Sequence, residues 1–139
     1  METIRRISGR ALAGIFFLLA ACVSEEGPVF TEIEITDVSF AADIQPIFNE
    51  RCIACHNETH PTGLDLQEGV SYSRLVNITS ANYPPNVRIE PLSRENSVLW
   101  HKIIDDGVFG GQMPQIGSPL TNFQIEQIEA WIEEGALDN

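Results

Sequence analysis

An all-α fold of three to five short helices is what this chain predicts, and three observations carry the expectation. Apolar residues downstream of Ser39 recur at the i, i+3, i+4 spacing of a helix face. Capping residues stand ahead of those stripes and glycines behind them. One stretch, Thr31-Glu32-Ile33-Glu34-Ile35-Thr36, alternates with the period of a strand, but no second strand pattern lies nearby.

The chain opens on Arg5, Arg6 and Arg10, followed by the apolar run Ala11 to Ala21. That run has the length of a signal peptide's apolar region and is too short to span a bilayer. It ends in Leu19-Ala20-Ala21-Cys22, which resembles the lipobox of bacterial lipoproteins, where the cysteine is diacylated and becomes the first residue of the mature chain. Residues 1–21 are therefore expected to be a lipoprotein signal peptide, with Cys22 the lipid attachment point. The competing reading is an ordinary secretory signal that leaves Cys22 a stray thiol. Either places the protein outside the cytoplasm. Residues 22–38, with Glu25-Glu26-Gly27-Pro28, read as a lipidated N-terminus and acidic tether whose reach is about 20–25 Å.

The helices follow in order. Asp43 is placed to N-cap one in which Ile44, Ile47 and Phe48 share a face, with Pro46 tolerated in its first turn. A short helix over 68–76 would turn Val70 and Leu75 inward. Asn96 or Ser97 caps a third, carrying Val98, Leu99 and Ile103 and ending at Gly107. The clearest is last: Thr121 and Gln124 make a capping box, Ile125, Ile128, Trp131 and Ile132 form one stripe, and Gly135 stops it. Glu133 and Glu134 then stand against the helix macrodipole, with no local reason to do so.

The first helix runs into Cys52-Ile53-Ala54-Cys55-His56. C-x-x-C-H is the pattern of c-type haem attachment: two thiols bond the haem vinyl groups, and the next residue supplies the proximal iron ligand. A thioredoxin-like pair would need a βαβ context that is absent here. A zinc site would have to combine Cys52, Cys55, His56 and His60, and the adjacent Cys55 and His56 are badly placed for one tetrahedral ion. With Cys22 lipidated and Cys52 and Cys55 on haem, none of the three cysteines remains for a disulfide.

Once the signal is removed, Met113 is the only methionine, in Gly110-Gly111-Gln112-Met113-Pro114 between two helices. It is the candidate sixth iron ligand; the plainer reading is a gap-filling side chain under a loop. His60 and His101 are the rival ligands. His60 lies too close along the chain to reach the opposite haem face, and His101 reads as a surface or haem-edge residue. The glycines lack the Lys and Ser/Thr of a phosphate-binding loop, and Asp105-Asp106 reads as a solvated helix end.

The full chain carries a net charge of −12; without the signal, 5 Lys+Arg face 19 Asp+Glu, a net of −14. Nucleic acid and bare anionic lipid are poor partners for such a chain, whereas a basic protein surface would be attracted to it.

From Ser39 to Asn139 the chain resembles the class I bacterial monohaem cytochromes c. The features are the C-x-x-C-H after an aromatic-bearing helix, the Met113-Pro114 loop, and Leu120-Thr121 opening a last helix with Trp131-Ile132 and Gly135-Ala136. The resemblance implies a cytochrome c-like domain over 39–139, its short helices wrapped around one covalently bound haem c. It also implies that Phe48 and Trp131 lie where the first and last helices cross. The chain departs from many soluble members in lacking a lysine-rich haem edge. With His56 and Met113 as axial ligands no open site remains, so the expected role is a non-enzymatic single-electron carrier between redox proteins, lipid-anchored to a bacterial membrane and facing the periplasm or cell exterior. A peroxidase-like or gas-binding module with a dissociable sixth ligand is the alternative.

Overall fold

The computed structural model describes residues 34–139. The expected signal peptide, Cys22 and most of the tether lie outside the described residues. Among the described residues there is no strand, only isolated bridges such as Val76 with Ile89 and Val87 with Ser97, so the fold is helical as expected. Helix α1 spans Gln45–Arg51 and is preceded by a π-helical turn, Phe40–Ile44. Helix α2 is Ser71–Leu75, α3 is Val98–Ile104 behind the 3-10 turn Arg94–Asn96, and α4 is Asn122–Glu133.

The first helical segment begins upstream of the position Asp43 would set. Ser39 is the cap, its Oγ accepting from the Ala42 N–H at 3.2 Å, while Asp43 Oδ2 accepts from the Ser39 N–H at 2.9 Å. Ser39 wins because its backbone is extended (φ −88°, ψ 130°) and can close the turn, whereas Asp43 already lies inside it. Ile44, Ile47 and Phe48 face the core as their spacing requires.

Helix α2 is shorter than 68–76, and Val70 is exposed, not inward. It follows Gly69, whose φ of 84° turns the chain, and it precedes the first helical residue, so only Leu75 is carried into the core. Helix α3 starts after Ser97 but stops at Ile104, before Gly107, because Asp105 adopts the left-handed conformation at φ 58°. Ser97 does not cap it; its hydroxyl instead ties the Glu90 N–H and the Ser93 carbonyl.

Helix α4 follows its sequence. Thr121 Oγ1 accepts from the Gln124 N–H, Gln124 Oε1 accepts from the Thr121 N–H, and Gly135 turns the chain at φ 105°. Ile128, Trp131 and Ile132 are buried and Ile125 packs at the core margin. Phe40 is the aromatic that meets Trp131, at 5.3 Å between ring centroids, with Phe48 behind it at 6.2 Å and Tyr72 edge-on at 5.3 Å. Trp131 Nε1 donates to the Leu137 carbonyl, so the indole is buried with its polar group satisfied.

The two acids at the end of α4 have non-local partners. The Glu134 carboxylate accepts from the Asp37 and Val38 N–H groups at 2.8 and 2.9 Å, and Glu133 accepts from the Arg94 N–H. Charge-assisted bonds of this kind offset an unfavourable dipole position. Val38 is buried and Ile35 packs on the same core, so the packed chain begins upstream of Ser39.

Candidate functional site

Helix α1 delivers the chain into the cysteine motif. The Cys52 and Ile53 N–H groups donate to the Phe48 carbonyl, and those of Cys55 and His56 donate to the Cys52 carbonyl at 3.1 and 2.8 Å. The five residues thus form one tight turn carrying two thiols and an imidazole, and the thiols are not joined in a disulfide. Burial pushes the half-buried Cys52 thiol up to about 11, against the pull of the Arg51 charge; Cys55 is exposed.

His56 Nδ1 is the one buried side-chain polar atom without a hydrogen-bond partner among the described residues. Burial lowers the pKa of the ring below 6.5, with the charges of His60 and Arg88 acting the same way and the Leu64 carbonyl pulling it up. Although that carbonyl is close enough to act on the ring, no bond to Nδ1 closes. A neutral imidazole is the metal-binding form. Ligand histidines normally donate their second nitrogen to a carboxylate, a backbone carbonyl or water, and the Leu64 backbone is the group of this loop that acts on the ring.

Residues 57–66 fold back against this ring. The His60 N–H donates to the Asn57 carbonyl, Gly63 N–H to His60, and Leu66 N–H to His56 at 3.0 Å. The His60 ring lies 4.4 Å from the His56 ring and its Nδ1 meets Thr62 Oγ1 at 2.8 Å. The two histidine rings therefore pack against one another. His101 lies elsewhere and both its nitrogens are engaged, Nδ1 with Asp106 at 2.5 Å and Nε2 with the Glu95 carbonyl at 2.8 Å.

Met113 is half-buried in the α3–α4 connection. Its N–H donates to the Lys102 carbonyl at 2.8 Å, and Lys102 Nζ donates to the Gly111 carbonyl at 3.1 Å. The far end of the same connection is held by Arg51, whose guanidinium binds the Ser118 and Pro119 carbonyls. Arg51 immediately precedes Cys52, so the methionine loop is pinned between α3 and the cysteine turn. Sequence reasoning gave Arg51 no role, because its partners lie far along the chain.

Among the described residues no three His, Cys, Asp or Glu side chains are grouped as a metal ion would require. Two cavities of about 330 and 300 Å³ touch none of Cys52, Cys55, His56 or Met113. Two free thiols and an imidazole on one turn are the side-chain types that covalent haem attachment would use. No protein-family model matches the chain, and no curated protein or solved structure matches it significantly.

Proposed function

We propose that the protein is an exported, lipid-anchored monohaem cytochrome c that carries single electrons between redox proteins. The observation that carries this reading is the Cys52–His56 turn: both thiols project from one turn, and the adjacent imidazole is held neutral with Nδ1 turned inward. Haem held there supplies reversible one-electron chemistry between ferric and ferrous iron. Cys52 and Cys55 would hold the group, and His56 and Met113 would ligate its iron. One electron would enter from a reduced donor protein and one would leave to an oxidised acceptor, with no bond made or broken in a substrate, which is the role of a carrier and not of an enzyme. His101 is a poor rival ligand, since recruiting it would break two hydrogen bonds.

The surface favours a basic partner. Arg51, Arg88, Arg94 and Lys102 are all engaged within the fold, Arg94 by Glu95, Glu129 and Glu133. Carbon monoxide titration of the reduced protein at neutral pH tests the carrier reading. A closed six-coordinate carrier leaves the spectrum unchanged; prompt binding would favour the gas-binding or peroxidase-like alternative.

A further inference from the structure

Arg88 is a buried cation that no carboxylate neutralises. It is 7% exposed, and among the described residues no acid pairs with it. Its guanidinium instead grips three main-chain carbonyls: Nη1 donates to Gly63 at 3.2 Å and to Arg74 at 2.5 Å, and Nη2 donates to Thr62 at 2.6 Å. Its own backbone is fixed as well, the N–H to the Ile78 carbonyl at 2.7 Å and the carbonyl to the Leu99 N–H at 3.0 Å. Burying a charge this way is costly when only dipoles answer it. Desolvation and the nearby Arg74 charge both act against it.

Its location gives the charge a use. Thr62 and Gly63 belong to the loop that folds against His56. Thr62 Oγ1 meets His60 Nδ1, and the His60 ring lies against the His56 ring. One loop therefore has the guanidinium on its carbonyls and the proximal imidazole at its other end. A fixed cation in a low-dielectric interior favours whichever redox form carries one less positive charge.

We propose that Arg88 is a positioning residue and fixed charge for the iron site, holding the 57–66 loop against His56 and biasing the bound haem toward its ferrous form. This rests on the haem reading above. The test is the reduction potential of the haem-loaded protein in Arg88→Met, Arg88→Gln and Arg88→Lys, with covalent haem content measured in parallel. Neutralising a buried unit charge one loop away changes the ferrous-to-ferric ratio at a fixed potential by roughly tenfold at an effective interior dielectric near 20. Arg88→Met should lower that ratio while the covalent pigment persists, and Arg88→Lys, which keeps the charge but not the fork, should restore most of it. Arg88→Gln keeps one donor for the loop and reads the same loss of charge should the methionine variant fail to fold. A folded neutral variant with an unmoved potential overturns the assignment, as does a lysine variant shifted as far as the neutral ones. Absence of covalent haem from the wild-type protein overturns both this assignment and the haem reading; a pigment whose potential ignores Arg88 overturns this assignment alone.

Discussion

Met113→Ala separates the proposed sixth-ligand role of this side chain from its packing. The backbone bond from the Met113 N–H to Lys102 does not involve the side chain, and neither does the hold of Lys102 on Gly111 or of Arg51 on Pro119. The loop should therefore keep its course. Fully buried Met→Ala changes cost about 2–5 kcal/mol, so a half-buried methionine should cost about 1–2 kcal/mol, or roughly 5–15 °C in Tm for a domain of this size. The redox change should be far larger in kind: the potential falls, the weak near-infrared band of sulfur-ligated ferric haem disappears, and the reduced protein binds carbon monoxide. Met113→His should remain six-coordinate with a lowered potential. His101→Ala should leave all three observables unchanged. Visible and near-infrared spectra with a redox titration decide the matter. If His101→Ala opens the iron and Met113→Ala does not, the axial assignment is wrong.

Three further outcomes follow from the same residues. Cys22→Ser should move the protein from membranes to the soluble fraction with an unchanged spectrum; retention in the membrane would point to another anchor. Thr121→Ala removes the acceptor of the Gln124 N–H and should cost about 1 kcal/mol in denaturant unfolding, leaving the visible spectrum intact. The His101–Asp106 pair should make stability depend on pH. Desolvation pulls the His101 pKa down, but the Glu95 carbonyl and the Asp106 bond and charge outweigh it and raise it above 6.5, while the bond from His101 holds Asp106 below 3.8. The pair's contribution is thus complete below pH 6.5 on the histidine side and lost as pH rises through the raised pKa; on the aspartate side it is lost as pH falls below 3.8. The stability difference between wild type and His101→Ala should be greatest near pH 5–6 and shrink by pH 9; a constant difference would refute the assignment.

What the chain disclosed in advance was local. The α4 capping box needs only residues three apart, and its stripe and stop glycine lie within the same helix, so that element was legible throughout. The cysteine motif is local in the same sense, five consecutive residues that share one turn, and its haem chemistry is what the proposed function adds. Competition between near neighbours was harder to read. Ser39 and Asp43 can each cap, and backbone conformation decided for Ser39; Asp105 stopped α3 before the glycine could. Val70 fell just outside its helix and lost its inward face. Partners distant along the chain left no trace. Nothing near Glu134 indicates that it holds Asp37 and Val38, nothing near Arg88 points to Thr62 and Gly63, and nothing near Phe40 points to its packing on Trp131.

The proposed function requires that Cys52 and Cys55 bind haem covalently with His56 as an iron ligand. Its most direct measurement is the intact mass of the denatured protein after export in cells competent for haem maturation, with acid–acetone extraction in parallel. The expected result is the processed chain plus one haem, a pigment that stays with the protein through extraction, and loss of that added mass when both cysteines become serine. A chain of bare polypeptide mass, or haem released on denaturation, would contradict it.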